Sequence, residues 1–222
     1  MREIVLDTET TGFDFAGEDR IVEIACLELM NHVPTGQFYQ AYVNPGRAMS
    51  EGALQVTGIT DDFLLDKPPI GDVADEFLAF IGDSPFVIHN AAFDIGFLNA
   101  EFARLARVPF PIERATDTVL IARRKFPGAP ASLDALCKRF DIDLSKRGKH
   151  GALLDCELLA AVYLELVGGR QQGFSLVRSA SARAESRQRE ARPARPHAPS
   201  DTELAAHATL IAEIKGAIWT AE

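Results

Sequence analysis

The chain has 222 residues, 47% of them hydrophobic, enough for one ordinary domain with a buried core and a tail. Three scattered cysteines, Cys26, Cys137 and Cys156, form no C-x-x-C pair, which argues for reduced thiols in a cytoplasm and against a disulfide or zinc framework. The net charge of -9 counts against nucleic acid as a partner unless bound cations offset it.

No apolar run approaches the length of a membrane span, and the first strand is expected almost at Met1, so no leader is expected either. Apolar and β-branched enrichment predicts strands over 3–8, 20–30 and 37–43. A helix over 71–81 and a strand over 85–89 follow. Helices are predicted over 92–106, where Phe93, Phe97, Phe102 and Leu105 repeat at helical spacing, and over 117–125, 132–140 and 152–167. Ser132 is placed to cap the third of these four. Strands early and helices late suggest an antiparallel meander extended by parallel strands, with helices packed on it. There is no internal repeat.

Composition changes near residue 177. Residues 178–200 read "RSASARAESRQREARPARPHAPS", with six Arg, three Pro and no large apolar residue. Such a stretch cannot bury enough surface to offset its ordering entropy, and 177–199 is read as a disordered linker. As a flexible coil it would span roughly 25 Å. The linker is basic, so the acidic charge is concentrated in residues 1–177. Beyond it, Ser200 and Glu203 fit a capping box. Leu204, Ala208, Ile211, Ile214 and Ile218 then form an apolar stripe, with Gly216 expected to end the regular helix. A helix this short has no core of its own and should dock on something.

The stretch "IVLDTETTGF", residues 4–13, places two acids in what reads as a central strand. Alternation projects Asp7 and Glu9 from one face. Like charges side by side are unfavourable unless neutralised, and a divalent cation explains them better than an exposed face or an ion pair. Such a site needs acids from elsewhere. Asp94 in "VIHNAAFDIGFL" and Asp155 in "KHGALLDCELLAAVY" both stand near helix starts. Either alone would be read as a cap or dipole partner. Together with Asp7, Glu9 and the neighbouring His150 they make a pattern.

"DTETTG", "HNAAFDIGFL" and "HGALLDCELLA" resemble the three sequence blocks of the DEDD exonucleases, in the branch that uses a catalytic His. The wider match, "VTGITDDFLLDKPP", "ATDTVLIARRKFPG", "SLDALCKRFDID" and "SKRGKHGALLD", is similar to the epsilon proofreading subunits of bacterial DNA polymerase III. The resemblance covers residues 1–176 and, more weakly, the last twenty. One departure is Thr57, where family members often carry His.

That resemblance implies an α/β, ribonuclease H-like fold with a mixed five-stranded sheet flanked by helices. It implies 3′→5′ removal of nucleotides from a DNA end. Asp7, Glu9, Asp94 and Asp155 would hold two divalent cations, Mg²⁺ or Mn²⁺, typically about 3.5–4 Å apart, with Asp7 best placed to bridge them. His150 would be the general base, on a loop before the last helix. Thr57 would meet substrate, as would Thr10 and Thr11 in the "TTGF" that also offers backbone N–H groups and an apolar wall, though these two threonines fit ordinary turn formers equally well. His89 is read as support beside Asp94, with direct substrate contact the lesser reading. "QQGFSL" resembles a sliding-clamp-binding motif anchored by Gln171, Phe174 and Leu176; packing back onto its own domain is the alternative. The resemblance implies that Leu204, Ile211, Ile214, Ile218 and Trp219 bind the polymerase catalytic subunit, with the linker as a tether. An RNA 3′-end-trimming nuclease of the same superfamily and a catalytically silent scaffold are the competing readings. The linker and capped helix weigh against the first, the intact acids and His150 against the second.

Overall fold

The computed structural model describes residues 1–145, 148, 150–168 and 198–215. The chain divides into two compact units, Met1–Phe174 and Ser175–Glu222.

In the first unit, strands β1 (Arg2–Thr10), β2 (Ile21–Met30) and β3 (Val33–Tyr42) precede helices α1 (Glu51–Thr57), α2 (Asp61–Leu64) and α3 (Ile70–Ile81). Strand β4 (Phe86–Ile88), helix α4 (Ala91–Arg104), strand β5 (Ala115–Asp117) and helices α5 (Thr118–Lys125), α6 (Leu133–Arg139) and α7 (Ala152–Val167) complete it. The strands form one sheet in the order β3-β2-β1-β4-β5. The first three make an antiparallel meander, and β4 and β5 join parallel to β1. This is the mixed, helix-flanked sheet expected from the sequence.

β1 is central, which is why its apolar residues are buried on both faces. Ile4 and Leu6 enter a core with Phe77 of α3 and Phe97 and Phe102 of α4. Val5 enters the opposite core with Ala122 of α5, Leu136 of α6 and Leu159 of α7. Each such side chain contributes about 1.5–3 kcal/mol by leaving water. Alternation then sends Asp7 and Glu9 to the α7 side and Thr8 to the α4 side.

Helices α1 and α2 and strand β5 were not expected. Ser50 caps α1 by accepting from Ala53 N, Gly58 ends it in the left-handed region at φ 73°, and Thr60 caps α2 through Phe63 N. Ser132 caps α6 as expected. Among the described residues no helix is long and apolar enough to cross a membrane.

The second unit contains α8 (Asp201–Glu213), whose capping box between Ser200 and Glu203 is formed in both directions. The helix ends at Glu213, with Ile214 extended at φ -85°, ψ 112°, before Gly216 is reached. Leu204, Leu210 and Ile214 are exposed. Gln171, Phe174, Leu176, Ile218 and Trp219, with most of the linker, lie outside the described residues.

Candidate active site

The C-terminal half of β1 runs beyond the end of β4, and the site is built there. Ile4 N bonds Pro85 O, so the N–H groups of residues 4, 6 and 8 point toward β4. Pairing with β4 ends at Val5↔Val87, and β4 itself stops at Ile88. Thr8 N therefore finds no strand, and the Asp94 carboxylate takes that place. Thr8 N donates to Asp94 Oδ1 at 3.0 Å, and Thr8 Oγ1 donates to the same oxygen at 2.8 Å.

Asp94 stands in the first turn of α4 and Asp155 in the first turn of α7. Both helix N-termini present their positive ends to the acids. Asp117 accepts from Asn90 N and Ala91 N, both at 3.3 Å, and from Val119 N at 2.8 Å. It thereby ties the start of α4, where Asn90 adopts φ 73°, to the start of α5.

Asp7, Glu9, Asp94, His150 and Asp155 all line one cleft of about 240 Å³. Ligand atoms of Glu9, His150 and Asp155 lie within 4.8 Å of one another. His150 Nδ1 is 3.2 Å from Asp155 Oδ2, and the imidazole is about half exposed, at 47%. Its backbone is anchored by His150 N donating to Val56 O at 3.2 Å.

The electrostatics are those of crowded acids. Burial first, then the nearby carboxylates of Asp94, Glu9, Asp155 and Glu23, hold the Asp7 carboxyl well above the usual carboxylate range. Burial pushes Asp94 up to about 7, against the pull of its hydrogen bonds from Thr8. No Lys or Arg is among the described residues lining the cleft. Four carboxylates with no cationic side chain among the described residues beside them fit divalent cations, which take hard oxygen donors.

The other candidates divide. Thr10 lines the cleft, and its hydroxyl donates to Gly12 O at 2.5 Å. Thr11 does not line it. It is fully buried, with its hydroxyl donating to Asp19 Oδ1 at 2.9 Å and accepting from Arg20 N at 3.0 Å, so it holds the following loop together. Thr57 lines the cleft at the last turn of α1, but its hydroxyl donates to Ala53 O and accepts from Ile59 N. His89 lines the cleft too, with Nδ1 2.9 Å from Thr118 Oγ1. That hydroxyl also lies 3.2 Å from Ile88 O, so the pair ties His89 to the end of β4. Phe13, 76% exposed, and Phe93 form the apolar wall, their ring centroids 6.4 Å apart. Sequence reasoning missed Thr8 and Asp117; each is a small polar residue at an element end, a signal common to many caps.

A fold with this acid-lined cleft is that of a nuclease, and residues 4–163 match the family model described as Exonuclease. The chain belongs to that family. Its structure is similar to "Exonuclease X in complex with 5' overhanging duplex DNA", with TM-score 0.58 and 30% identity over 74% of this chain and 90% of that one. The sequence is 51% identical over 180 residues to the DNA polymerase III subunit epsilon of Rickettsia felis, covering 80% of this chain and 79% of the relative. It is 44% identical over 219 residues to that of Escherichia coli, covering 93% and 90%. Within the exonucleases the chain belongs to the epsilon subunits of DNA polymerase III, and it is a proofreading 3′→5′ exonuclease.

Proposed function

We propose that the chain trims DNA 3′ ends for its polymerase by two-metal-ion phosphodiester hydrolysis, releasing nucleoside monophosphates. One observation carries this: Asp7, Glu9, Asp94 and Asp155, from three separate elements, converge on one cleft beside His150. The four carboxylates would hold two cations, Mg²⁺ or Mn²⁺. When bound, these supply charge stabilisation of the phosphoryl oxygens and a more acidic water. Burial and the neighbouring carboxylates hold the Asp7 carboxyl well above its usual range, and a bound cation would offset that crowding.

His150 is the general base. Asp155 stands beside its Nδ1, which orients the ring and stabilises the imidazolium formed when Nε2 takes a proton. Phe13 and Phe93 offer the terminal base an apolar surface to stack on. Thr10 and Thr57 line the path of the terminal nucleotide beside them, and His89, tied to Thr118 through Nδ1, supports the same wall. The polymerase catalytic subunit is the partner of the 200–222 segment, and a sliding clamp the partner of Gln171, Phe174 and Leu176. The capping box supports the first, because it starts a helix whose Leu204 and Leu210 are exposed.

The test is a mismatched DNA primer compared with an RNA 3′ end, each with and without Mg²⁺. Mg²⁺-dependent shortening of the DNA, faster at the mismatch, is expected. Preference for the RNA end would replace this reading with 3′ trimming of RNA.

A further inference from the structure

The catalytic pair His150–Asp155 has an anchor on the far side of the sheet's centre. α7 starts at Gly151 without a side-chain cap of its own. A helix start leaves N–H groups that need acceptors. The first of them, Ala152 N, donates to Glu23 Oε2 at 3.2 Å. Glu23 lies on β2, directly opposite Glu9 on β1 and Tyr42 on β3. Opposed residues in antiparallel strands share a face, so Glu23 stands on the same side as Glu9, under α7. It is 1% exposed, and its other oxygen, Oε1, accepts from Gln40 Nε2 at 2.7 Å. Gln40 Nε2 also reaches Tyr42 Oη at 3.3 Å.

A fifth acid, beside Glu9, adds repulsion to a site already crowded with charge, and its charge also raises Asp7. A buried carboxylate in that place costs stability unless its hydrogen bonds accomplish something. What it bonds is the backbone two residues after His150 and three before Asp155. We propose that Glu23 is a positioning residue: its carboxylate, held by Gln40, grips the start of α7 and so sets His150 and Asp155 against Asp7 and Glu9. This rests on the reading of His150 and Asp155 as catalytic groups. Glu23 acts through its acceptor oxygens, and its charge is dispensable.

That last clause makes the test specific. Glu23→Gln keeps an acceptor for Ala152 N, and its amide, turned to match, still pairs with the Gln40 side chain. Glu23→Ala keeps neither. Mismatch excision is measured per folded molecule, well below each variant's Tm. Glu23→Ala should lose about 10- to 100-fold in kcat with KM unchanged, as expected for misplaced catalytic groups. Glu23→Gln should recover to within a few-fold of the parent. In the cation-free protein, amide hydrogen exchange at residues 152–155 should quicken in Glu23→Ala, return to normal in Glu23→Gln, and stay unchanged along β1. Should Glu23→Ala not fold, Gln40→Ala loosens the same carboxylate without emptying its place, and a smaller kcat loss at constant KM is expected. Parental kcat in Glu23→Ala or Gln40→Ala, or a Glu23→Gln as slow as Glu23→Ala, overturns the proposal. An inactive parent would instead overturn the catalytic reading, and the exchange measurement would still judge the grip of Glu23 on α7.

Discussion

Thr8 gives both its backbone N–H and its hydroxyl to a single oxygen of Asp94, 86 residues away. The residue between the two strand acids is thus the one that holds the third acid. Thr8→Val keeps the shape and removes the hydroxyl bond. Without it Asp94 should hold its proton more tightly in the cation-free protein, so activity at limiting Mg²⁺ should fall near neutral pH and recover at higher pH. A pH–rate profile whose acidic limb does not move would show that the hydroxyl is idle.

Asp94 also sets a direction for stability without cations. Its carboxyl titrates at about 7 in the fold against a reference of 3.8, so the folded state binds its proton more tightly. The stability it contributes is full below about 4 and is lost as pH rises through about 7. Asp7, also raised, adds in the same sense. In chelator, Tm should therefore be higher at pH 5.5 than at pH 8, and Asp94→Asn should flatten that slope while raising Tm at pH 8. Added Mg²⁺ should restore the parent at pH 8 and do little for Asp94→Asn.

His150→Ala should keep cation and DNA binding and lose roughly 10²–10⁴-fold in hydrolysis, the usual share of a general base. Single-turnover kinetics with a labelled primer read it directly. A full rate would remove His150 from the chemistry.

Deleting residues 200–222 should release the polymerase and leave the excision of free single strands at the parental rate. Co-purification with the polymerase checks the first half. Undiminished association would place the contact elsewhere on the chain.

The strand acids were legible because alternation along β1 needs only neighbouring residues: Asp7 and Glu9 had to share a face. Asp94 and Asp155 could be located at helix starts, but their meeting depends on β4 stopping early, which residues 86–88 do not announce. The short elements escaped for a different reason. α2 spans 4 residues and β5 spans 3, too few for a period to show. Thr10 and Thr11 look alike in sequence, yet a one-residue step along the chain puts the first in the cleft and the second behind it. Glu23 was passed over as one more acid in a strand, since its partner Ala152 is 129 residues distant.

The brevity of β4 has a consequence for engineering the chain. Two more ladder pairs beyond Val5↔Val87 would bring a carbonyl to the very N–H that Asp94 now occupies. Insertions between Ile88 and Asn90 should thus abolish function by mending the sheet, whereas the opposite turn at Asp83 and Ser84 should absorb added residues. The acid-lined cleft lies in a gap that a more regular protein would have closed.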